Sequence, residues 1–459
     1  MDGVIGGIAV VARELLLFAG AGLLLGGIDD LLVDLIYFTR RLTRGPATPL
    51  RSWALPAPET PGRMVILVPA WDEAAVIGAM LANALARLRH DDYRIYVGLY
   101  PNDPATIAAA ADVAEHDPRV RLVIGPRPGP TTKADWLNAV WHALERDARD
   151  EGFAVRAVVL HDAEDVVHAD ELLVFDSLIE GRAVVQLPVL PLVAPGSQLV
   201  SGHYADEFAE SHIKQLVVRT ALGAGLPLAG TGCAIAPAML REIARRRGGD
   251  PFDASSLTED YELGLRIAEL GGKGLFARVA DGPPRSVVAV RAYFPATLPA
   301  AVRQKARWMT GIALVGWDRT GWGRTWAIGD HWWRSRDRRA PLAMLVLAAA
   351  YLGLFAEAVV IILCWARGAA LPVTDPLLGG LIAVNAMLLW WRLGVRMVFT
   401  GQAYGWREAL WSLPRFVVGN FVTLAAAPRA MVRYLLMLRG RPLTWDKTDH
   451  QFPDLPARS

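Results

Sequence analysis

Only two cysteines, Cys233 and Cys364, occur in 459 residues, far apart and in different surroundings, which excludes a disulfide framework or a cysteine-based zinc site. A reducing cytosolic face for the main domain is compatible with that scarcity. Excess charge is missing too. The formal net charge is +2, so strong attraction to nucleic acid is not expected, although basic clusters lie beside the apolar segments. The chain has no low-complexity tract and no internal repeat at the length of a solenoid unit. Met1-Asp2-Gly3 lacks the positive start of a secretory signal and no convincing cleavage site follows, so the N-terminus is expected to stay attached.

What is present is apolar. Hydrophobic residues make up 53% against 20% charged, and the mean hydropathy is +0.27, which points to a soluble part joined to membrane segments. The length allows roughly two to four domains. Leu15–Phe38 is long enough to cross about 30 Å of hydrocarbon, yet it contains Asp29, Asp30 and Asp34. Two readings stand: the helix ends near Asp29, or the acids face later helices, Asp30 and Asp34 sharing a face. Arg40, Arg41 and Arg44 then place the following segment in the cytosol by the positive-inside rule, and a Pro-rich connection runs from Pro46 to Pro61. Apolar character returns at Leu342–Ala366, behind Arg334, Arg336, Arg338 and Arg339, and again at about Leu377–Phe399. Trp411–Leu438, interrupted by Pro414 and Pro428, reads as one crossing, a re-entrant pair or an interfacial helix.

Between these segments the pattern alternates. Apolar runs at Met64–Val68, Ile95–Leu99, Val120–Ile124 and Ala157–Leu160 are interleaved with helical stretches near Glu73–Arg89, Pro104–His116 and Lys133–Arg149. Such alternation predicts a parallel α/β sheet whose ligands lie at the carboxyl ends of the strands. Further strands are expected near Gly274–Val279 and Val287–Tyr293.

The strand ends carry the chemistry. Ala157–Leu160 runs into His161-Asp162-Ala163-Glu164-Asp165, three carboxylates in a short turn that are costly unless a cation or a positive partner neutralises them. Asp162 and Glu164 in an extended turn can converge on one hard cation, Mg2+ or Mn2+, while substrate phosphates fill the open positions. The plainer alternative is a loop of capping acids before a helix at Asp170; on either reading His161 and His168 are local hydrogen-bonding residues rather than ligands. Asp72 reads by itself as an N-cap with Glu73 in the first turn, Asn102-Asp103-Pro104 as turn chemistry, and Lys133 as a phosphate contact or a solvated side chain. Leu228–Ile235 is rich in small residues that would let a substrate approach the backbone. Ser256 and Glu259 have capping-box spacing, and a carboxylate at Asp260 could serve as a general base. Val302–Gly311 mixes basic and apolar residues like a helix at a membrane surface, while Arg307 could instead fork onto a diphosphate and Trp308 offer a flat face to a sugar.

Taken in order, Val68-Pro69-Ala70-Trp71-Asp72-Glu73, Asn102-Asp103, Lys133, Asp162-Ala163-Glu164-Asp165, Thr231-Gly232-Cys233, Thr258-Glu259-Asp260 and Gln304-Lys305-Ala306-Arg307-Trp308 resemble the motif series of the membrane-bound family 2 glycosyltransferases, the cellulose-synthase-like group with a Q-x-x-R-W motif. Asp29-Asp30-Leu31 and the stretch Arg441–Thr448 resemble its phage-adsorption branch. The resemblance implies an α/β GT-A (Rossmann-like) domain inserted between transmembrane helices: a first membrane helix in 1–45, the cytosolic GT-A domain in 46–296, an amphipathic interface region in 297–340, membrane helices in 341–440 and a tail in 441–459. It further implies that Glu73 and Asp103 bind the uridine and Lys133 lines the nucleotide pocket. Asp162 would contact the nucleotide side of the donor and Glu164 the metal. Thr231, Gly232 and Cys233 would shape the acceptor end. Gln304, Arg307 and Trp308 would hold the acceptor sugar and diphosphate, with Asp260 as catalytic base. Glu164 stands where many relatives have a second Asp, which bears on metal preference. Relatives carry a further cytosolic regulatory domain beyond this point, so control by a cyclic dinucleotide is in doubt for this chain.

The implied activity is transfer of an N-acetylhexosamine from a UDP-sugar, with inversion, at the bacterial inner membrane. The acceptor would be a growing surface polysaccharide or a lipid carrier, and a homodimer or export partner would supply a polymer channel that so few helices cannot form. A catalytically silent membrane scaffold is the competing reading from another class.

Overall fold

The computed structural model describes residues 2–43, 50–58, 60, 62–282, 286–373, 375–440 and 450–453. The motif at Arg441–Thr448 lies outside them, as do Arg44, Pro46 and Pro61.

Helix α1 (Asp2–Thr43) runs unbroken for 42 residues, straight through Asp29, Asp30 and Asp34, so the reading in which it ends near Asp29 is corrected. The acids are tolerated because each meets a partner from far along the chain. A short parallel pair, β1 (Leu50–Arg51) with β9 (Val279–Ala280), lies beside the main sheet.

Seven strands form that sheet: β2 (Arg63–Ala70), β3 (Tyr93–Leu99), β4 (Val120–Ile124), β5 (Val155–Leu160), β6 (Val184–Gln186), β7 (Cys233–Ile235) and β8 (Gly274–Phe276), in the order β4-β3-β2-β5-β7-β6-β8. The interior strand β2 is apolar almost throughout because both of its faces are covered. On one face Ile66, Val68 and Val159 pack with α2 (Ile77–Arg87), α3 (Pro104–Ala114) and α5 (Glu171–Leu178). On the other, Val65, Leu67 and Val158 pack with α4 (Lys133–Asp150), α8 (Pro237–Arg246) and α9 (Glu259–Glu269). The sheet is parallel as expected except at β7, which runs antiparallel to β5 and β6. Val287–Tyr293 forms isolated bridges rather than a strand.

Since β2 connects onward to β3 on one side while β5 flanks it on the other, the carboxyl ends of β2 and β5 border a switch point, where open α/β sheets leave a crevice. Antiparallel β7 starts where β5 ends: Leu160 pairs with Cys233, which brings the 230–232 loop against the acid turn.

Between β6 and β7 lie α6 (Val200–Glu210), a π-helical turn at Ser211–Gln215 and α7 (Leu216–Ala221). After the sheet come α10 (Leu298–Trp308), a second π-helical stretch at Met309–Val315, α11 (Gly316–Thr320) and α12 (Ile328–Arg338). Helices α13 (Ala340–Arg367), α14 (Pro376–Tyr404) and α15 (Trp406–Leu438), together with α1, are long and apolar enough to cross a membrane. Helix α15 is one continuous helix with Pro414 and Pro428 inside it, which decides among the three readings of that segment against a re-entrant pair. Asp29 and Asp30 are neutralised by Arg336 and Arg339, Asp30 also by Arg392, and Asp34 accepts from Trp391 at 2.8 Å.

Candidate active site

The first strand-to-helix turn is built by Asp72, whose φ of 55° swings the chain left-handed at the end of β2. Its amide donates to Asp103 Oδ2 at 2.6 Å, and the amide of Glu73 donates to Thr106 Oγ1 at 2.9 Å. Helix α2 begins only at Ile77, with Val76 as N-cap, so Asp72 is not the cap expected of it. Asp103 is itself the N-cap of α3, accepting from Thr106 N at 3.2 Å. Both of its oxygens thus hold backbone that positions Glu73.

The acid turn after β5 is pinned from behind. His161, fully buried, bonds Asp165 Oδ2 through Nδ1 at 2.9 Å and Glu171 Oε1 through Nε2 at 2.8 Å. Burial alone would lower its pKa, but Glu171 and Asp165 outweigh burial and raise it to about 10. Asp165 Oδ2 also accepts from the Asp162 amide at 2.8 Å and from the Thr231 hydroxyl, tying the turn to the loop before β7. Asp162 pairs with Lys133, whose ammonium donates as well to the Gly230 carbonyl at 3.1 Å. Burial would lower the Lys133 pKa; Asp162, Glu259 and Asp260 together hold it well above the ordinary value. Burial pushes Glu164 up to about 8, with Asp162, Asp165 and Glu73 adding to the effect and His450 opposing it.

These groups line one cavity of about 800 Å³. Glu73, Lys133, Asp162, Glu164 and His450 line it near the strand ends, and Thr231, Asp260 and, from α10, Gln304, Arg307 and Trp308 line it as well. Asp260, at the start of α9, has its pKa raised by burial and held back by Lys133. Gly230 has φ +76°, and a Cβ there would stand 2.7 Å from Asp260 Oδ2, so only glycine lets the acid approach this loop. Oε1 of Gln304 is shielded from water and has no hydrogen-bond partner among the described residues, leaving an acceptor free for a hydroxyl. Glu73, Glu164 and His450 each offer a ligand atom, and these atoms lie within 4.8 Å of one another, a donor set that fits one divalent cation.

Residues 61–311, more than half of the chain, match the family described as Glycosyltransferase like family 2. The chain belongs to glycosyltransferase family 2. It is 35% identical to Bacteriophage adsorption protein B of Escherichia coli strain K12 and to Bacteriophage N4 adsorption protein B of Escherichia coli O157:H7, over 94% of this chain and 61% of each relative. The chain thus spans about 61% of the length of the curated relatives it matches. Among solved structures it is similar to the mannosyltransferase PcManGT from Pyrobaculum calidifontis, in complex with GDP-mannose and Mn2+, with a TM-score of 0.51 and 19% identity, covering 88% of this chain and 99% of that one. At that identity the likeness is one of fold, and the fold is the GT-A type.

Within this family 2 domain, the structure gathers Glu73, Lys133, Asp162, Glu164, Thr231, Asp260, Gln304, Arg307 and Trp308 around one cavity. It does not bring Asp103, Gly232 or Cys233 to the lining. Strand alternation turns the fully buried Cys233 into the core with Leu160 and Ile235, so it cannot shape an acceptor end by contact. Gly232, at φ +58°, makes room for Val290. The capping box also fails: Thr258 is the N-cap of α9, and Ser256 Oγ donates to Glu262 at 2.6 Å instead. No spacing in the sequence links His450 to the strand-end acids that it meets in the fold.

Proposed function

We propose that this family 2 glycosyltransferase is a metal-dependent, inverting enzyme of the bacterial inner membrane, transferring an N-acetylhexosamine from a UDP-sugar to a growing surface polysaccharide. The single observation that supports this best is the shared cavity, lined by the Asp162–Glu164 turn, by Asp260 close to Lys133, and by Gln304, Arg307 and Trp308 of α10. The catalytic domain would lie on the cytosolic side, in keeping with the arginines around Arg334–Arg339.

Lys133 and Asp162 would grip the donor, with Glu73 beside them. Asp260 would take the proton of an acceptor hydroxyl as its oxygen bonds to the anomeric carbon; the bond from that carbon to the diphosphate breaks, and the electron pair leaves with the nucleoside diphosphate. A divalent cation, Mg2+ or Mn2+, would supply positive charge to the leaving diphosphate when bound at Glu164. Arg307 would add a second positive charge there. Gln304 Oε1 would accept from the acceptor sugar, whose ring would lie on Trp308, a residue grouped with Tyr204, Phe208 and Phe294.

The deciding experiment is a donor screen on the purified full chain, with UDP-N-acetylglucosamine, UDP-N-acetylmannosamine and GDP-mannose, each with Mg2+ or Mn2+, read as nucleoside diphosphate release. Release from a UDP-N-acetylhexosamine is expected. Release from none of them would favour the silent-scaffold reading, and sizing the labelled product separates polymer growth from single transfer to a lipid carrier.

A further inference from the structure

His450 lies beyond α15, yet it sits at the donor end of the cavity, on residues from the first and fourth strands of the main sheet. Its Nδ1 is 2.8 Å from Glu73 Oε1, at the end of β2, and its Nε2 is 3.4 Å from Glu164 Oε1, at the end of β5. Phe452 packs against the sheet core and Pro453 is buried, so apolar contacts two and three residues on hold the imidazole in place. Thus His450, which follows all the long apolar helices in the chain, lines the cavity beside the ends of β2 and β5.

The three donor atoms lie within 4.8 Å of one another, a spread that one cation with ligand bonds of about 2.0–2.4 Å can bridge. The set is two carboxylates and one imidazole. Mg2+ demands oxygen donors and parts reluctantly with water, whereas first-row transition ions accept a nitrogen ligand. Three protein ligands would leave the remaining positions to diphosphate oxygens and water.

We propose that His450 is a protein ligand, together with Glu73 and Glu164, of a transition-type divalent cation such as Mn2+, and that the bound cation fastens residues 450–453 against the strand-end acids. This rests on the reading of Glu164 as the metal-bearing acid, and it moves Glu73 from a nucleobase contact to the cation. It also gives the pocket a wall that the family 2 domain at 61–311 does not contain.

The test uses the full chain in detergent and Mn2+ alone, without donor. Paramagnetic resonance of the titrated ion gives its affinity, and the pulsed form of the measurement detects a coordinated nitrogen. Wild type is expected to show the nitrogen modulation. His450→Ala should lose it and bind Mn2+ roughly 10-fold or more weakly, while Mg2+ affinity, read by competition, changes far less. Protection of the C-terminal segment from protease by Mn2+ should vanish in the same variant. If wild type carries no nitrogen modulation, or if His450→Ala keeps both modulation and affinity, the proposal is wrong. Glu164→Ala separates the two readings: Mn2+ binding that depends on Glu164 but not on His450 overturns only this inference, whereas binding that ignores Glu164 overturns the metal assignment beneath it. Should His450→Ala fold poorly by thermal melting, His450→Asn and the wild-type modulation carry the decision.

Discussion

The ammonium of Lys133 stands 3.1 Å from the carbonyl oxygen of Gly230 while it also pairs with Asp162, so one side chain joins the acid turn after β5 to the loop beside Asp260. That link makes the electrostatics of Asp162 and Asp260 interdependent.

Replacing Asp260 with Asn should lower turnover by roughly 10²–10⁴-fold and leave donor binding nearly intact, because a general base is lost and the donor contacts are not. Lys133 holds the raised pKa of Asp260 in check, so Lys133→Met should move the acid limb of the pH–rate profile to higher pH. Steady-state kinetics across pH settles both, and wild-type turnover in Asp260→Asn would remove the assignment.

Glu164→Ala should abolish the part of donor affinity that depends on a divalent cation. Calorimetric titration with and without Mn2+ reads this directly. Equal cation dependence in variant and wild type would count against Glu164 as the metal-bearing acid.

At Gly230, alanine would have to hold φ near +76° and place its Cβ 2.7 Å from Asp260 Oδ2. The backbone cost is of order 1–3 kcal/mol, and misplacement of the acid should reduce turnover by about 10²-fold. A melting curve that shifts modestly beside such an activity loss is the expected pair of results; normal activity would show that Asp260 does not need this approach.

His161 makes stability depend on pH. Its pKa is raised from 6.5 to about 10 in the folded protein, so its contribution is fully present below about pH 6.5 and is lost as pH rises through about 10. Melting temperature should therefore fall across that window. His161→Gln should be less stable by about 3–5 kcal/mol at neutral pH and should flatten the slope. An unchanged slope in the variant would assign it to other groups.

Where α1 meets the catalytic domain, Lys214 joins Asp34 and Glu210, all with side chains only 3% exposed. Lys214→Met leaves two buried carboxylates short of a partner, and a loss of about 3–5 kcal/mol is expected. Thermal unfolding in detergent measures it; a loss below 1 kcal/mol would mean that Arg396 and Trp391 suffice.

Much of this protein is local and so could be read along the chain. The β2 to β5 strands, helix α4 starting at Lys133 and the acids at strand ends follow from periodicity and composition, which need no distant neighbour. The short strand β7 does not, since three residues carry no usable period and its antiparallel direction depends on pairing with Leu160 and Gln186. For the same reason Cys233 reads along the chain as part of a substrate loop, although its side chain belongs to the core.

By itself the sequence determined the alternation of strands and helices, the long apolar helices, and which carboxylates stand at the ends of strands. Tertiary structure decided what each charge meets. It carried α1 through Asp29, Asp30 and Asp34 by supplying Arg336, Arg339, Arg392 and Lys214, turned Asp103 into a support for Glu73, and set His450 against Glu73 and Glu164. The physical reason is that secondary structure depends on spacing over a few residues, whereas a buried charge is stable only beside a partner, and here the partners lie hundreds of residues away.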